Sequence, residues 1–447
     1  MTFSSGRERC LWLAAALLSC GCGDDSGGQE PGDSDTQTET ETETESESES
    51  ESESDTGESE VPPSLPALCT VDSFNTVASG EGDARFPSVS HSTSSLASWL
   101  YDPEETGQPE QWRLQIGVYD PAASALTMME PFTAVPSAES LAMATSASAF
   151  GAVWLDSRWD TACDPDAPDE CSVDLAFASF DAAAEPAAAE PQRVTTTGVF
   201  RSDLSIAATP TGWLVAWMAV ESDSLSAFAA AIDAAGTIGT AHVISDDQPF
   251  FADSSDVSLA ATSTTAVAVW SADLASVVAQ VTGLDGTPTG DPITIDEDVP
   301  CAMPRIEASE NGFLVTWSRK TYEDYEVYSQ LLDANGAPTG SKNRLTWTTT
   351  DARGAIPAWN GSTYGVVWES DRANGSSSCV ESNCRNQLFG SVLDAQGQLA
   401  SEPILLSNNA NDSSNAALAW DGAGWSALWE VRRELRQEVY RGRFICE

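Results

Sequence analysis

Phe313-Leu314-Val315-Thr316-Trp317 is an apolar run that ends in tryptophan, and its pattern returns as Trp213-Leu214-Val215-Ala216-Trp217 and Tyr364-Gly365-Val366-Val367-Trp368. Following the terminal tryptophan along the chain gives Trp99, Trp154, Trp217, Trp270, Trp317, Trp368 and Trp429, at spacings of 55, 63, 53, 47, 51 and 61 residues. A period near fifty residues marks a repeat architecture. In an extended strand alternate residues share a face, so the positions four and two before each tryptophan stand beside it. The first of these is aromatic in five repeats (Phe150, Trp213, Phe313, Tyr364, Trp425), and the second is always Ala or Val. The intervening positions are mostly apolar too, which predicts a strand buried on both faces.

Working outward, an apolar residue sits eleven positions before the tryptophan in five repeats: Met143, Ile206, Leu259, Ile306 and Leu418. Between the two lie turn signals such as Asn311-Gly312, Asn360-Gly361 and Asp421-Gly422, so the pair of runs reads as a β-hairpin. A third strand ends in a second turn, as in Leu332-Asp333-Ala334-Asn335-Gly336, Leu393 to Gly397 and Ile232 to Gly236. A fourth strand, such as Pro403 to Leu406, completes the unit. Four antiparallel strands repeated seven times predict an all-β fold, a seven-bladed β-propeller over residues 65–447. The seventh repeat stops after its third strand, Val439 to Ile445, while an orphan strand, Thr70 to Ser79, precedes the first repeat. Pairing these two closes the ring. Cys446 aligns with the turn aspartate of other repeats (Asp394), and Cys69 immediately precedes the orphan strand, so a Cys69–Cys446 disulfide is expected in place of the missing turn.

The unit Gly-aromatic-Leu-Val-x-Trp followed by Leu-Asp-Ala-x-Gly resembles that of exported bacterial β-propellers with repeats of about fifty residues, over residues 86–446. The resemblance implies the fold and leaves the ligand open, because one fold carries many activities. WD40, kelch and sialidase Asp-box signatures are absent from the sequence, as is the D-x-D-x-D-G calcium loop.

Residues 1–19 read as a signal peptide: Arg7 and Arg9, then an apolar core from Cys10 to Leu18, too short to span a membrane as a helix. Leu17-Leu18-Ser19-Cys20 resembles a bacterial lipobox, which implies lipidation of Cys20, with Cys22 as a rival acceptor. Gly21 after that cysteine implies sorting to the outer membrane rather than retention at the inner one. Residues 20–64 are rich in Ser, Thr and Glu and almost devoid of apolar side chains. Such a stretch cannot repay the entropy of ordering, and its carboxylates repel, so it is expected to be a disordered, extended tether.

The chain carries 69 acidic and 20 basic residues; 17 of the acids and two of the bases precede residue 61, so residues 61–447 bear a net −34. Nucleic acid is thereby disfavoured as a partner, since phosphate binding needs clustered cations. Two histidines, His91 and His242, leave little for a His-based zinc site or a Ser-His-Asp triad.

An oxidising compartment favours disulfides, and Cys163–Cys171 and Cys379–Cys384 are close pairs between second and third strands. Cys301 is left over and reads as a quiet buried thiol. From tryptophan to turn aspartate the distance is 15 or 16 residues in repeats 3 to 5, but 21, 27 and 26 in repeats 1, 2 and 6. Those enlarged loops fall on the face that also receives the connections between blades. Asp156, Asp160, Asp164, Asp166, Asp169, Glu170 and Asp371 make that face a candidate for ligand or Ca²⁺ binding through clustered oxygens. The repeated tryptophans read as core. The expected function is a surface- or envelope-anchored, monomeric binding module for a protein or glycan, touching the membrane through its lipid alone. The alternatives are a structural envelope component, or a glycan-processing enzyme working with paired carboxylates.

Overall fold

Each tryptophan run is the second strand of a four-stranded antiparallel sheet, and seven such sheets are present among the described residues. The computed structural model describes residues 64–447 except 79–81, 104–110, 121–124, 147–148, 165, 168–170, 197–203, 222–223, 249–255, 273–274, 323, 349, 371–385, 408–411 and 434–435. The expected signal peptide, lipidation site and tether lie outside the described residues.

The innermost strand of each blade is the first in sequence: Asp83–His91, Ala138–Thr145, Leu204–Thr209, Val257–Ala261, Cys301–Ser309, Ala352–Trp359 and Asp412–Trp420. Each of these strands touches the next, and the seventh returns to the first. The ring is pinned by side chains reaching across it. Ser88 Oγ accepts the Met143 N–H at 3.0 Å, Ser205 Oγ that of Leu259 at 2.9 Å, and Ser258 Oγ that of Ile306 at 3.2 Å.

The second strand is buried on both faces as its apolar pattern demands; Phe150–Asp156 and Ala266–Ala272 are buried throughout. The seven marker tryptophans are all buried. Several stack on an aromatic directly opposite in the third strand: Trp217 on Phe228 at 5.7 Å, Trp317 on Tyr328 at 6.0 Å and Trp368 on Phe389 at 6.2 Å. Apolar clusters fill the space between neighbouring sheets, as where Phe177 of blade 2 meets Trp213 of blade 3 at 5.3 Å.

The Leu-Asp-Ala-x-Gly turn follows from its chemistry. Asp333 accepts the N–H groups of Asn335 and Ala337 at 2.8 and 2.9 Å, and Asp233 and Asp394 make the equivalent pairs. Gly236, Gly336 and Gly397 stand at φ 86, 81 and 76°, the left-handed region where a Cβ is costly.

Blade 7 is closed by the chain's own beginning. Its order is Cys69–Ala78, Arg436–Cys446, Trp425–Arg433, Asp412–Trp420 from rim to channel. Cys69 pairs with Cys446 and the two are disulfide-bonded. One detail of the expected alignment is corrected by the register. Trp425 faces Phe444 as Tyr364 faces Leu393, so Ile445, not Cys446, occupies the place of Asp394. The bridge thus lies one residue beyond the turn position, where the closing strand's first residue meets it.

Candidate functional site

The enlarged loop of blade 2 leaves the second strand at Asp156 and rejoins the third at Asp174. Cys163 and Cys171 are disulfide-bonded within it. Asp160 accepts the N–H groups of Ala162 and Ser172 at 3.0 and 2.8 Å, and these bonds hold its carboxyl below the usual range. Asp164 accepts the Asp166 N–H at 3.0 Å, and Asp166 is exposed. Asp160 and Asp164 cap their own loop. Asp156, expected on the ligand face, is instead fully buried. The reason is the two-residue spacing of a strand: Asp156 shares a face with Trp154, whose indole N–H donates to it at 2.8 Å. Arg158 adds a backbone N–H at 2.8 Å and its side-chain Nε at 2.9 Å. Burial pushes the Asp156 carboxyl up, with Arg158 opposing it.

Asp169, Glu170, Asp371, Cys379 and Cys384 lie outside the described residues. Among the described residues no three His, Cys, Asp or Glu side chains converge as a metal site would require.

What the loop face does present is an arginine motif that composition alone conceals. Buried Asp174 pairs with Arg193 at 2.6 Å, buried Glu326 with Arg344 at 3.0 Å, and buried Asp296 with both Arg319 at 3.1 Å and Lys342 at 2.6 Å. Guanidinium groups of this face also lie near aromatic rings, including Arg85, paired with Asp83, and Arg353, paired with Asp351: Arg85 near Trp112 at 5.4 Å, Arg319 near Tyr328 at 5.3 Å, Arg344 near Trp347 at 5.7 Å and Arg353 near Tyr325 at 4.3 Å. In blade 2 one ring takes two cations. Half-buried Trp159 has Arg158 at 5.9 Å and Arg193 at 5.7 Å. Both are held from below by buried aspartates, and Glu190 pairs with Arg158 at 3.0 Å. The sequence carries a trace of this in Trp154-x-Asp156-x-Arg158, whose alternation puts ring, acid and base in line.

The centre of the ring is hollow. Two cavities, of about 360 and 280 Å³, share walls at Val89, Met143, Ile206, Leu259, Glu307 and Leu418, and together form a channel along the axis. Glu307 lines both cavities, and two further glutamates brace the inner strands that form the wall. Glu369 and Glu430, each one residue after a marker tryptophan, accept the N–H groups of Asn415 and Phe86 at 2.9 and 2.7 Å. Those two residues stand at bulges of the neighbouring inner strands with φ of 50 and 55°. Burial pushes Glu369 up to about 7 and raises Glu430 as well.

No family model and no curated protein matches the chain. Among solved structures it is similar to the Trypanosoma rangeli sialidase at 8% identity and TM-score 0.42, covering 81% of this chain and 54% of the sialidase. The chain thus spans about half the length of that protein. It is also similar to TolB from Acinetobacter baumannii at 11% identity and TM-score 0.35, covering 78% and 79% of the two chains. The exo-1,5-alpha-L-arabinanase from a bovine ruminal metagenomic library matches at 9% identity and TM-score 0.33, over 54% of this chain and 91% of that one. These likenesses carry no functional residue over to this chain.

Proposed function

We propose that this protein is an envelope-anchored binding module that holds a protein ligand on the loop face of its propeller. Lipid on Cys20 tethers it to the outer membrane, and residues 20–64 lift the domain away from the bilayer. The observation that carries the reading is the Trp159 platform. Tryptophan and arginine dominate the energetics of protein interfaces when they are fixed in place before binding. Here the ring is seated between Arg158 and Arg193, each fixed by a buried carboxylate, beside a loop clipped by Cys163–Cys171. Asp156, Asp160, Asp164 and Asp174 are spent on structure, so the platform recognises by aromatic area and guanidinium hydrogen bonds.

The test is capture from an envelope extract with the chain and its Trp159→Ala variant, together with a glycan array. Truncating a central aromatic anchor should weaken retention of the captured partner by roughly tenfold or more, with the melting temperature within about 2 °C of the parent. Undiminished capture by the variant would sink the proposal. A glycan signal that disappears in Trp159→Ala would move the same face to sugar binding. Anchoring is tested separately: globomycin should accumulate unprocessed precursor, and Cys20→Ala should release the protein from membranes. Continued lipidation of that variant would point to Cys22.

A further inference from the structure

The lower half of the axial channel, away from the loop face, is built unlike the rest of it. The inner strands of blades 6 and 7 end in Trp359 and Trp420, equivalent positions just before their hairpin turns. Both indoles are half-buried and line the cavity of about 360 Å³. Each is braced from one side, Trp359 by Tyr364 at 4.6 Å and Trp420 by Trp425 at 4.7 Å. Blade 5 contributes Glu307 to the same wall. Its one hydrogen bond among the described residues is from the Trp359 backbone N–H to Oε1, at a long 3.4 Å. The second carboxylate oxygen has no partner there, and no arginine or lysine pairs with this group, in contrast to the buried acids of the loop face. Ala144, Ala207, Ala260, Ala308, Ala358 and Ala419 leave the cavity open where longer side chains would fill it. Val89, Met143, Ile206 and Leu259 add side chains to the wall, whose open surface is largely polar, with Ser90, His91 and Thr145 also on it.

A carboxylate drawn part-way out of water, as half-buried Glu307 is, gains from a cation that meets it. The energetic signature is present: burial pushes the Glu307 carboxyl up to about 7. Tryptophan faces attract cations, and organic ammonium ions most where water is excluded. A metal ion would need several more oxygens than this wall supplies. An alkylammonium needs a single carboxylate for its charge and aromatic rings for its carbons, and both line this cavity.

We infer that the channel binds a small organic ammonium ion, its charge against Glu307 and its methyl or methylene groups against Trp359 and Trp420. The site is independent of the Trp159 platform, which lies at the opposite end of the strands, so either can fail without the other.

Isothermal titration of the purified chain with choline, and with 3,3-dimethyl-1-butanol as its uncharged isostere, tests the inference. Choline should bind at least about tenfold more tightly than the isostere. Glu307→Gln should remove that preference, and Trp420→Leu, on a different blade, should weaken choline by roughly fivefold. Equal affinity for the two probes, absence of choline binding, or choline affinity unchanged in Trp420→Leu would each overturn it. If Glu307→Gln fails to fold, Glu307→Asp replaces it; withdrawing the charge by one methylene should cost several-fold in affinity, and an unchanged value would count against the site.

Discussion

Glu369 joins two blades at a cost to its own ionisation. The bulge at Asn415 takes a backbone N–H out of the strand ladder, and Asn415 is exposed, so Glu369 takes a place that water could fill. Glu369 accepts that N–H from the neighbouring blade, as Glu430 does for Phe86. The location deprives the carboxylate of water, and its pKa rises from 4.5 to about 7. Between those values the folded protein binds a proton that the unfolded chain does not. Stability must therefore fall as pH rises through that window. Glu307, also raised to about 7, acts in the same direction. We expect the melting temperature to drop between about pH 5 and pH 8, and Glu369→Gln to reduce that drop by roughly 3 °C. The glutamine keeps the acceptor for Asn415 and removes the charge. A pH profile identical to the parent would show that this carboxyl titrates normally. The turn aspartates have the opposite sign. Backbone N–H groups hold Asp233, Asp285 and Asp333 below the usual range, so their contribution is lost only on acidification below about pH 4. Scanning calorimetry across both windows separates the two sets.

At the scale of the element, the decisive contacts are between the second strand of one blade and the aromatic of the next. A Cβ on Gly365 would stand 2.1 Å from the indole nitrogen of Trp425, and one on Gly151 would stand 2.6 Å from that of Trp213. Both neighbours are themselves buried, so neither can step aside. Gly365→Ala should destabilise by about 3 kcal/mol, at the upper end for an overpacked core, measured by denaturant unfolding. A cost below about 1 kcal/mol would mean that blades 6 and 7 slide apart more easily than their packing implies. This also explains how much could be read in advance. The tryptophan runs and the Asp-Ala-x-Gly turns are local signals, so strands, hairpins and blade number follow from spacing. The site does not, because its determinants are relations between blades. Trp359 and Trp420 stand just before turn signals, but their sharing of one cavity with Glu307 across three blades depends on ring closure. Asp156 leaves the expected ligand face for a local reason: its partner Trp154 is two residues away on the same face, and that bond turns an apparent loop acid into a buried one. Likewise Cys301 is buried beside Asp296, and burial pushes its thiol up to about 12. It should resist maleimide in the native protein near pH 8 and react once unfolded; prompt native labelling would contradict the burial.

For the whole molecule, the weak point of a propeller is where the ring is cut. Six blades are each made of one continuous stretch of chain, whereas the seventh borrows its outer strand from the beginning of the domain. That strand, Cys69–Ala78, has half of its residues exposed and a single neighbour in the sheet. Its packing is modest: Phe74 reaches Trp429 at 5.7 Å and Tyr440 at 5.5 Å, and Asp72 pairs with Arg443. An edge strand held this lightly would fray and expose the one below it. The Cys69–Cys446 bond prevents this by joining residues 377 apart in sequence. Constraining so long a loop in the unfolded chain contributes on the order of 5 kcal/mol in the chain-entropy picture, which for a domain of this size corresponds to roughly 6 °C in melting temperature. Cys69→Ser with Cys446→Ser should show that loss. Hydrogen exchange should reveal where it begins: amides of residues 70–78 and 439–445 should lose protection together under mild denaturant, while blade 4, at residues 257–282, keeps its own. Loss spread evenly over all blades would mean that the bond acts on the unfolded ensemble alone, with no latch at the ring's seam. An unchanged melting temperature would mean that strand pairing suffices to close the ring.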